Sequence, residues 1–262
     1  KGIRETHECL NCFYKESLLA HTLFEHSHLP LKTWYLAIQL LTQAKTCMSA
    51  LELHRHLKVN IKTARLIKHK IMETLTGAKA ERVRGGRIER NEAYLGSTQE
   101  RGEKVMVRGN NTPFLAAVQT DNSHHPQLTV LSPVNGVTCD EVKSWAQLHI
   151  APQSLVLSNG LHGLKVLDSV CHHRIYNLKS GGKIKANSEL KWVNTVLVNV
   201  KTAFSGALHA FDFKKYSARY LGNMQFRFNH RFDLKQCFYQ VLNHAILADP
   251  KPAYALYSQE SG

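Results

Sequence analysis

A chain of 262 residues with 43% hydrophobic residues can bury a large core, so we expect one large domain and a smaller one. Thirty-four Lys and Arg against 20 Asp and Glu give a net charge of +14, which favours a nucleic acid partner over a merely basic protein. No apolar run approaches the roughly 20 residues of a membrane span, and the six cysteines are too scattered for a disulfide framework. We therefore expect no membrane partner and a cytoplasmic, nucleoid-associated protein.

The first segment, residues 1–30, is polar and rich in histidine, and it contains a Cys-x-x-Cys pair at Cys9 and Cys12. Structural zinc needs four ligands, of which this pair supplies two. The histidines that would complete a site are His7, His21, His26 or His28. A residual pair without Zn²⁺ is an equally open interpretation. The remaining thiols have no ligand spacing and are predicted to lie in the core: Cys47, Cys139, Cys171 and Cys237.

The second segment, residues 31–80, has helical spacing and predicts a helix-turn-helix. A first helix covers 31–45, a second follows Ser49 with Glu52 completing a capping box, and a third covers 61–75. The third helix is predicted to expose His69 and the basic residues that would contact DNA, namely Lys62, Arg65, Lys68 and Lys70. A helical hairpin with a solvated basic face is the alternative.

From residue 85 the pattern changes to short strands and helices. Strands are predicted at 87–95, 112–120, 127–131, 154–157 and 172–175, and a mobile loop at 96–111. Helices are predicted at 138–150, 161–168, 191–205, 213–228 and 234–248. This order predicts an α/β, RNase H-like core with a mixed five-stranded sheet over 85–210, followed by C-terminal helices over 211–262. In that fold the first strand, the fourth strand and a later helix bring metal ligands to one sheet edge.

Asparagines occupy the corresponding places in all three elements. Asn91 lies in the first strand, Asn159 follows the fourth, and Asn194 lies in the first turns of the later helix. Lys201 follows Asn194 by seven residues, which puts it on the same helix face.

An ordered set of motifs resembles one family. The motifs are Leu29–Trp34, Met48–Leu53, Asn91–Gly96, Thr112–Ala117, Leu157–Gly160, Trp192–Thr195 with Lys201, Tyr220–Leu221 and Arg227–Leu234. In these motifs the chain resembles bacterial insertion-sequence transposases of the DDE class that carry a zinc ribbon and are related to the Merlin elements. The resemblance covers nearly the whole chain. It implies cleavage and strand transfer at transposon terminal inverted repeats in double-stranded DNA, and assembly as a homodimer.

The resemblance also implies two Mg²⁺ or Mn²⁺ ions held by carboxylates. The family has aspartates where this chain has Asn91 and Asn159, whereas an asparagine at the third position and a lysine seven residues later, here Asn194 and Lys201, are common in the subgroup. Hard cations prefer anionic oxygen ligands, so we predict impaired metal binding and catalysis. Glu92 is expected to point to the opposite face of the strand and not to replace the lost charge. Further departures at Ser97, Val198, Ala207, Leu208 and His230 favour natural divergence over deliberate replacement of two aspartates.

A basic, glycine-containing loop beside the expected site is either a clamp on the DNA backbone or a solvated loop. Its candidate contacts are His173, Arg174, Lys179, Lys183 and Lys185. Near the C terminus, Arg227 and Arg231 either contact DNA or pack the terminal helices, with packing slightly favoured. The leading interpretation is a catalytically impaired, transposase-like DNA-binding protein. The alternatives are a domesticated DNA-binding or regulatory protein and a subunit that uses the fold structurally.

Overall fold

The computed structural model describes residues 6–44, 47–76, 85–95, 99–101, 104–106, 112–159, 162–176, 189–206 and 212–258. The strands in these ranges are β1 (Thr6–Glu8), β2 (Lys15–Ser17), β3 (Arg87–Leu95), β4 (Gln99–Arg101), β5 (Lys104–Met106), β6 (Thr112–Thr120), β7 (Pro126–Pro133), β8 (Leu155–Asn159) and β9 (His172–Tyr176). The helices are α1 (Leu31–Gln43), α2 (Ala50–Leu57), α3 (Ile61–Thr76), α4 (Cys139–His149), a 3-10 helix (His162–Ser169), α5 (Lys191–Gly206), α6 (Phe213–Asn229), α7 (Leu234–Leu247) and α8 (Ala253–Ser258).

The chain divides into two compact units. One comprises Lys1–Leu75 with Phe232–Gln259, and the other comprises Thr76–Arg231 with Glu260–Gly262. Helices α6 and α7 both lie in the predicted C-terminal segment 211–262 but belong to different units. Among the described residues, no helix has the length and apolar character needed to cross a membrane.

The first unit contains helices α1, α2 and α3 in the order that the sequence predicts. The hydroxyl of Ser49 caps α2 by accepting the backbone N–H of Glu52 at 3.1 Å, as the capping box predicts. Lys58 ends α2 in the left-handed conformation, and the Asn60 side chain accepts the backbone N–H of Lys62 at 2.9 Å to begin α3. Residues close to each other in sequence therefore set the start of α2, its end and the start of α3.

Fewer basic side chains of α3 are exposed than the sequence predicts. Lys62 and Arg65 are exposed, but Lys68, His69 and Lys70 are buried. Burial lowers the pKa of Lys68 to about 8, and the Lys70 ammonium donates to the backbone carbonyl of Leu23 at 3.3 Å. The predicted exposure of Lys68, His69 and Lys70 was wrong. Lys70 contacts Leu23 from the segment before α1, and the His69 ring contacts Tyr257 of α8.

The second unit is built on a five-stranded sheet of order β7-β6-β3-β8-β9. Strands β3, β6 and β7 pair antiparallel, while β3, β8 and β9 pair parallel. Three antiparallel strands extended by two parallel ones form the mixed sheet of an RNase H-like core, which confirms the predicted α/β fold class.

Side-chain alternation along β3 divides the sheet into two faces. Ile88 packs with Val142, Trp145 and Val156 in a core beneath α4 and the 3-10 helix. The adjacent Glu89 points to the other face, where it contacts the start of α5. The sheet is therefore covered on both faces, and its central strand carries functional candidates on each.

Helix α6 protects the edge strand β7. Asn229 accepts the backbone N–H of Thr129 at 2.8 Å and donates to its carbonyl at 3.1 Å, and Gln225 accepts the N–H of Leu131 at 2.9 Å. These amides take the place of a neighbouring strand, because unpaired strand edges otherwise invite association with other chains.

Arg227 and Arg231, the two C-terminal candidates for DNA contact, are both partly buried. Arg231 donates to the backbone carbonyls of Pro126, Gln127 and Phe228, and Arg227 is half-buried. The guanidinium of Arg231 therefore secures the end of α6 against β7, which supports the packing role that the sequence favoured slightly over DNA contact.

Some local features of the structure differ from those predicted from the sequence. The helix predicted at 161–168 is a 3-10 helix over His162–Ser169, and β4 pairs with β5 inside the predicted mobile loop. Cys139 is exposed at the start of α4 rather than buried, whereas Cys47, Cys171 and Cys237 are buried as predicted.

A cluster of asparagine amides at the sheet edge

The three asparagines predicted to share a site form one hydrogen-bonded chain. The Asn91 amide nitrogen donates to the Asn194 side-chain oxygen at 2.9 Å, and the Asn159 amide nitrogen donates to the Asn91 side-chain oxygen at 2.9 Å. All three residues are half-buried. Strands β3 and β8 and helix α5 therefore bring residues separated by up to 103 positions into direct contact, as the predicted topology requires.

Glu92 also reaches this cluster, which corrects the expectation that it lies away from the site. Its Oε1 accepts the Asn159 amide nitrogen at 2.9 Å. The parallel pairing of β3 with β8 ends at Arg90 and Ser158, so Asn159 lies beyond the paired region. From that position Asn159 contacts both Asn91 and Glu92, although neighbouring residues of a strand point to opposite faces.

A fully buried arginine accompanies Glu92. The Arg90 side chain is 0% exposed, and its Nη1 lies 3.8 Å from Oε2 of Glu92. None of the three guanidinium nitrogens has a hydrogen-bond partner among the described residues, and the guanidinium carbon lies 5.8 Å from the Trp145 ring centroid. Burial lowers the pKa of Arg90 to about 10, and the Glu92 carboxylate opposes that shift. No sequence pattern indicated this buried charge pair.

Glu89 fixes the start of α5 against β3. Its Oε2 accepts the backbone N–H groups of Trp192 at 2.7 Å and Val193 at 3.1 Å, and its Oε1 accepts from Arg87 at 3.1 Å. Burial raises the pKa of the Glu89 carboxyl, while these hydrogen bonds oppose the shift. The signal that would have found Glu89 is its spacing of two from Asn91, which puts both on one face of β3.

His173 has a buried side chain, which fits neither the DNA clamp nor the solvated loop that the sequence left open. Its side chain is 0% exposed, with Nε2 at 2.7 Å from the Ser158 hydroxyl and Nδ1 at 3.0 Å from Asp168. A Ser–His–Asp series also occurs in nucleophilic hydrolases, but Ser158 is 0% exposed and no substrate atom can approach it. Burial lowers the pKa of His173, while Asp168 opposes that shift, and the series joins β8, β9 and the 3-10 helix.

Two basic side chains are exposed near the asparagine cluster. Lys201 is exposed two turns beyond Asn194 on α5, and Arg174 is exposed on β9. Arg174 pairs with Leu157 in the register of β8 and β9, so it shares a sheet face with Asn159. The other loop candidates, Lys179, Lys183 and Lys185, lie outside the described residues.

The asparagine cluster does not fit the pair of divalent cations that carboxylates would hold. Asn91, Asn159 and Asn194 contribute amides without charge, and the carboxylate of Glu92 is accompanied by the guanidinium of Arg90. Mg²⁺ prefers anionic oxygen ligands and gives up its water reluctantly. Within the described ranges, no group of three His, Cys, Asp or Glu side chains is placed to hold a metal ion.

The Cys9–Cys12 pair lies in the turn between β1 and β2. The backbone N–H of Cys9 donates to the Tyr14 carbonyl at 2.9 Å, and that of Phe13 donates to the Cys9 carbonyl at 2.8 Å. Backbone N–H groups of Cys12 and then Asn11 lower the pKa of the Cys9 thiol. Both thiols are exposed. The turn suits thiolate ligands, and zinc binding stays a prediction.

Comparison with known proteins relates the second unit to a transposase domain. The family described as "ISXO2-like transposase domain" matches residues 84–229, more than half of the chain and the whole asparagine cluster. The sequence has no significant match among curated proteins.

Similar solved structures include complexes of the Mos1 transposase. A pre-cleavage Mos1 transpososome is 11% identical, with a TM-score of 0.24, and the match covers 83% of this chain and 81% of that chain. The Mos1 mariner paired-end complex with Mn is also 11% identical, with a TM-score of 0.25 and the same coverage. These superpositions are loose, and the strand order and directions of the sheet carry the fold assignment instead.

Proposed function

Because this chain belongs to the ISXO2-like transposase domain family, we propose that it binds double-stranded DNA at transposon ends and is impaired in cleavage and strand transfer. The observation that carries the second half of the proposal is the hydrogen-bonded contact of Asn91 with Asn159 and Asn194.

DNA binding is supported by charge and by exposed side chains in each unit. The net charge is +14, and Lys62 and Arg65 are exposed in the first turns of α3, the part of a recognition helix that meets base edges. In the other unit, Lys201 and Arg174 are exposed near the asparagine cluster. Cations in these positions attract the phosphate backbone, which supplies most of non-specific affinity.

Impaired catalysis follows from the chemistry of the cluster. DDE transposases use Mg²⁺ or Mn²⁺, which activates the attacking oxygen and stabilises the leaving oxygen of an in-line phosphoryl transfer. Asn91 and Asn159 supply no negative charge, and their amides are already engaged in the cluster. The residues of this chain therefore bind and orient DNA while the metal-dependent step is slow or absent.

The test of DNA binding is an affinity measurement on a labelled duplex from the ends of the element, repeated at increasing salt. We expect log affinity to fall linearly with log salt, because bound cations are released from DNA. An affinity that is flat in salt contradicts the proposal.

The test of impairment is strand cleavage and transfer with Mg²⁺ or Mn²⁺, for this chain and for Asn91→Asp/Asn159→Asp. We expect the unaltered chain to bind the duplex without cutting it and the double variant to gain activity. Cleavage by the unaltered chain would refute the impairment. If both proteins bind and neither cuts, the domesticated, regulatory role replaces transposition as the function.

A further inference from the structure

We propose that the asparagine cluster is a metal-independent docking site for a phosphodiester group of DNA, with the Asn194 amide nitrogen as its hydrogen-bond donor. The proposal rests on the DNA-binding function above. It assigns a ligand to the place where the family pattern predicts metal ions and this chain has three amides.

The direction of the hydrogen-bonded chain is fixed at Asn91 by the backbone. The backbone N–H of Glu92 can only donate, and it donates to the side-chain oxygen of Asn91 at 2.9 Å. The Asn91 amide nitrogen must therefore face away, towards Asn194. This matters because the nitrogen and oxygen of an asparagine amide are assigned from their partners.

A second anchor fixes the same direction at Asn159. Its amide nitrogen donates both to Glu92 Oε1 at 2.9 Å and to Asn91 at 2.9 Å. The carboxylate and the side-chain oxygen of Asn91, which already faces the Glu92 N–H, are both acceptors. Each amide thus points its nitrogen towards the next acceptor, and the polarity runs from Asn159 through Asn91 to Asn194.

Asn194 ends this series with an available donor. Its side-chain oxygen accepts from Asn91, and its amide nitrogen has no hydrogen-bond partner among the described residues. Asn194 is half-buried and lies on the helix face of Lys201. An amide N–H donor with an exposed ammonium two turns along the same helix suits one phosphodiester group better than a cation.

The local charge is also compatible with an anion. Asn91, Asn159 and Asn194 are neutral, and the Glu92 carboxylate has the Arg90 guanidinium at 3.8 Å. The side chain of Arg90 is 0% exposed and makes no hydrogen bond with the described residues. A phosphate therefore meets no net negative charge at the cluster, whereas aspartates would repel it unless a cation intervened.

An aspartate at position 91 would reverse which atom of the Asn194 amide faces outward. A carboxylate accepts and cannot donate, so Asn194 would have to turn its amide nitrogen inward and its oxygen outward. The docking donor becomes a metal ligand. The residue at position 91 thus decides whether the site takes a phosphate directly or a divalent cation first.

The experiment measures duplex affinity in buffer without divalent cations and again with Mn²⁺. In the first buffer, Asn91→Asp and Asn194→Ala should each bind about tenfold more weakly than the unaltered chain, the effect of losing one charge-assisted hydrogen bond. Added Mn²⁺ should restore affinity in Asn91→Asp/Asn159→Asp and leave the unaltered chain unchanged.

The matched control is Asn199→Asp, which adds the same charge at an exposed position of α5. If Asn199→Asp weakens binding as much as Asn91→Asp, charge alone explains the loss and the docking site is refuted. Equal affinity of Asn91→Asp and the unaltered chain without Mn²⁺ also refutes it. If the unaltered chain does not bind DNA at all, the proposed function itself is overturned, and this outcome is distinct from failure of the docking site alone.

A second measurement needs no variant. In protein labelled with ¹⁵N at asparagine side chains, the Asn194 amide signal should shift when the duplex is added without divalent cations, while the Asn199 signal stays in place. An unmoved Asn194 signal during saturable binding overturns the proposal.

Discussion

The carboxylate of Glu89 accepts the backbone N–H of Trp192 at 2.7 Å, across 103 residues of sequence. This bond secures the first turn of α5 to the central strand of the sheet. Two residues further along β3, Asn91 meets Asn194 on the same helix. Side chains of Glu89 and Asn91 thus join the strand to the helix at two places.

We expect Glu89→Ala to lower the free energy of unfolding by about 3 kcal/mol, because it leaves buried N–H groups of Trp192 and Val193 without an acceptor. Glu89→Gln retains an acceptor and should cost less. Urea unfolding measures both changes. Glu8→Ala, at an exposed position on β1, is the control, and a similar small effect of Glu89→Ala and Glu8→Ala would contradict the role of Glu89.

The DNA surface of α3 should be limited to its first turns. Lys62→Ala and Arg65→Ala are expected to weaken DNA binding and to reduce the slope of log affinity against log salt by about 1 each. Lys68→Met should leave both unchanged, because Lys68 is 2% exposed. Fluorescence anisotropy at several salt concentrations separates these outcomes. A loss with Lys68→Met in correctly folded protein would show that α3 reaches DNA through another surface.

Lys68 should also make stability depend on pH. Its folded pKa is about 8, lowered mainly by burial from 10.5, so above pH 8 the unfolded chain holds a proton that the folded chain has released. Stability should therefore rise from pH 8 to 10.5, with the full cost of the buried charge present below pH 8. Lys68→Met should remove this rise and increase the unfolding free energy at pH 7 by about 2 kcal/mol.

The check is urea unfolding at several pH values, with Lys62→Met at an exposed position as the control. A decrease in stability of Lys68→Met at pH 7 would mean that attraction to Glu52 and Cys47, which opposes the shift, outweighs the cost of burial.

Asn229→Ala should expose the edge of the sheet. The change removes hydrogen bonds to both the N–H and the carbonyl of Thr129 on β7, with an expected loss of about 2 kcal/mol. Asn243→Ala, at an exposed position on α7, serves as the comparison in the same unfolding assay. We also expect Asn229→Ala to associate at high concentration, detectable by light scattering, because an uncovered strand edge pairs with other chains. Identical behaviour of the two variants would argue against this protective role.

Much of the fold was predictable because it depends on local periodicity. The bounds of β3 and β6 agree with those predicted from the sequence, and Ser49 and Thr138 cap their helices through the residues three positions later. The meeting of Asn91, Asn159 and Asn194 was predictable from topology, since the order of strands and helices brings the first strand, the fourth strand and a later helix to one edge.

The sequence by itself thus determined the order of the five strands of the RNase H-like sheet and the identity of the asparagine cluster. Only the tertiary structure decided that Glu92 joins that cluster, that Arg90 is buried beside it and that Lys68 and His173 are internal. The reason is physical. Strand and helix periods are set by neighbours in sequence, but the burial and hydrogen bonding of a long polar side chain are set by segments far away in the chain.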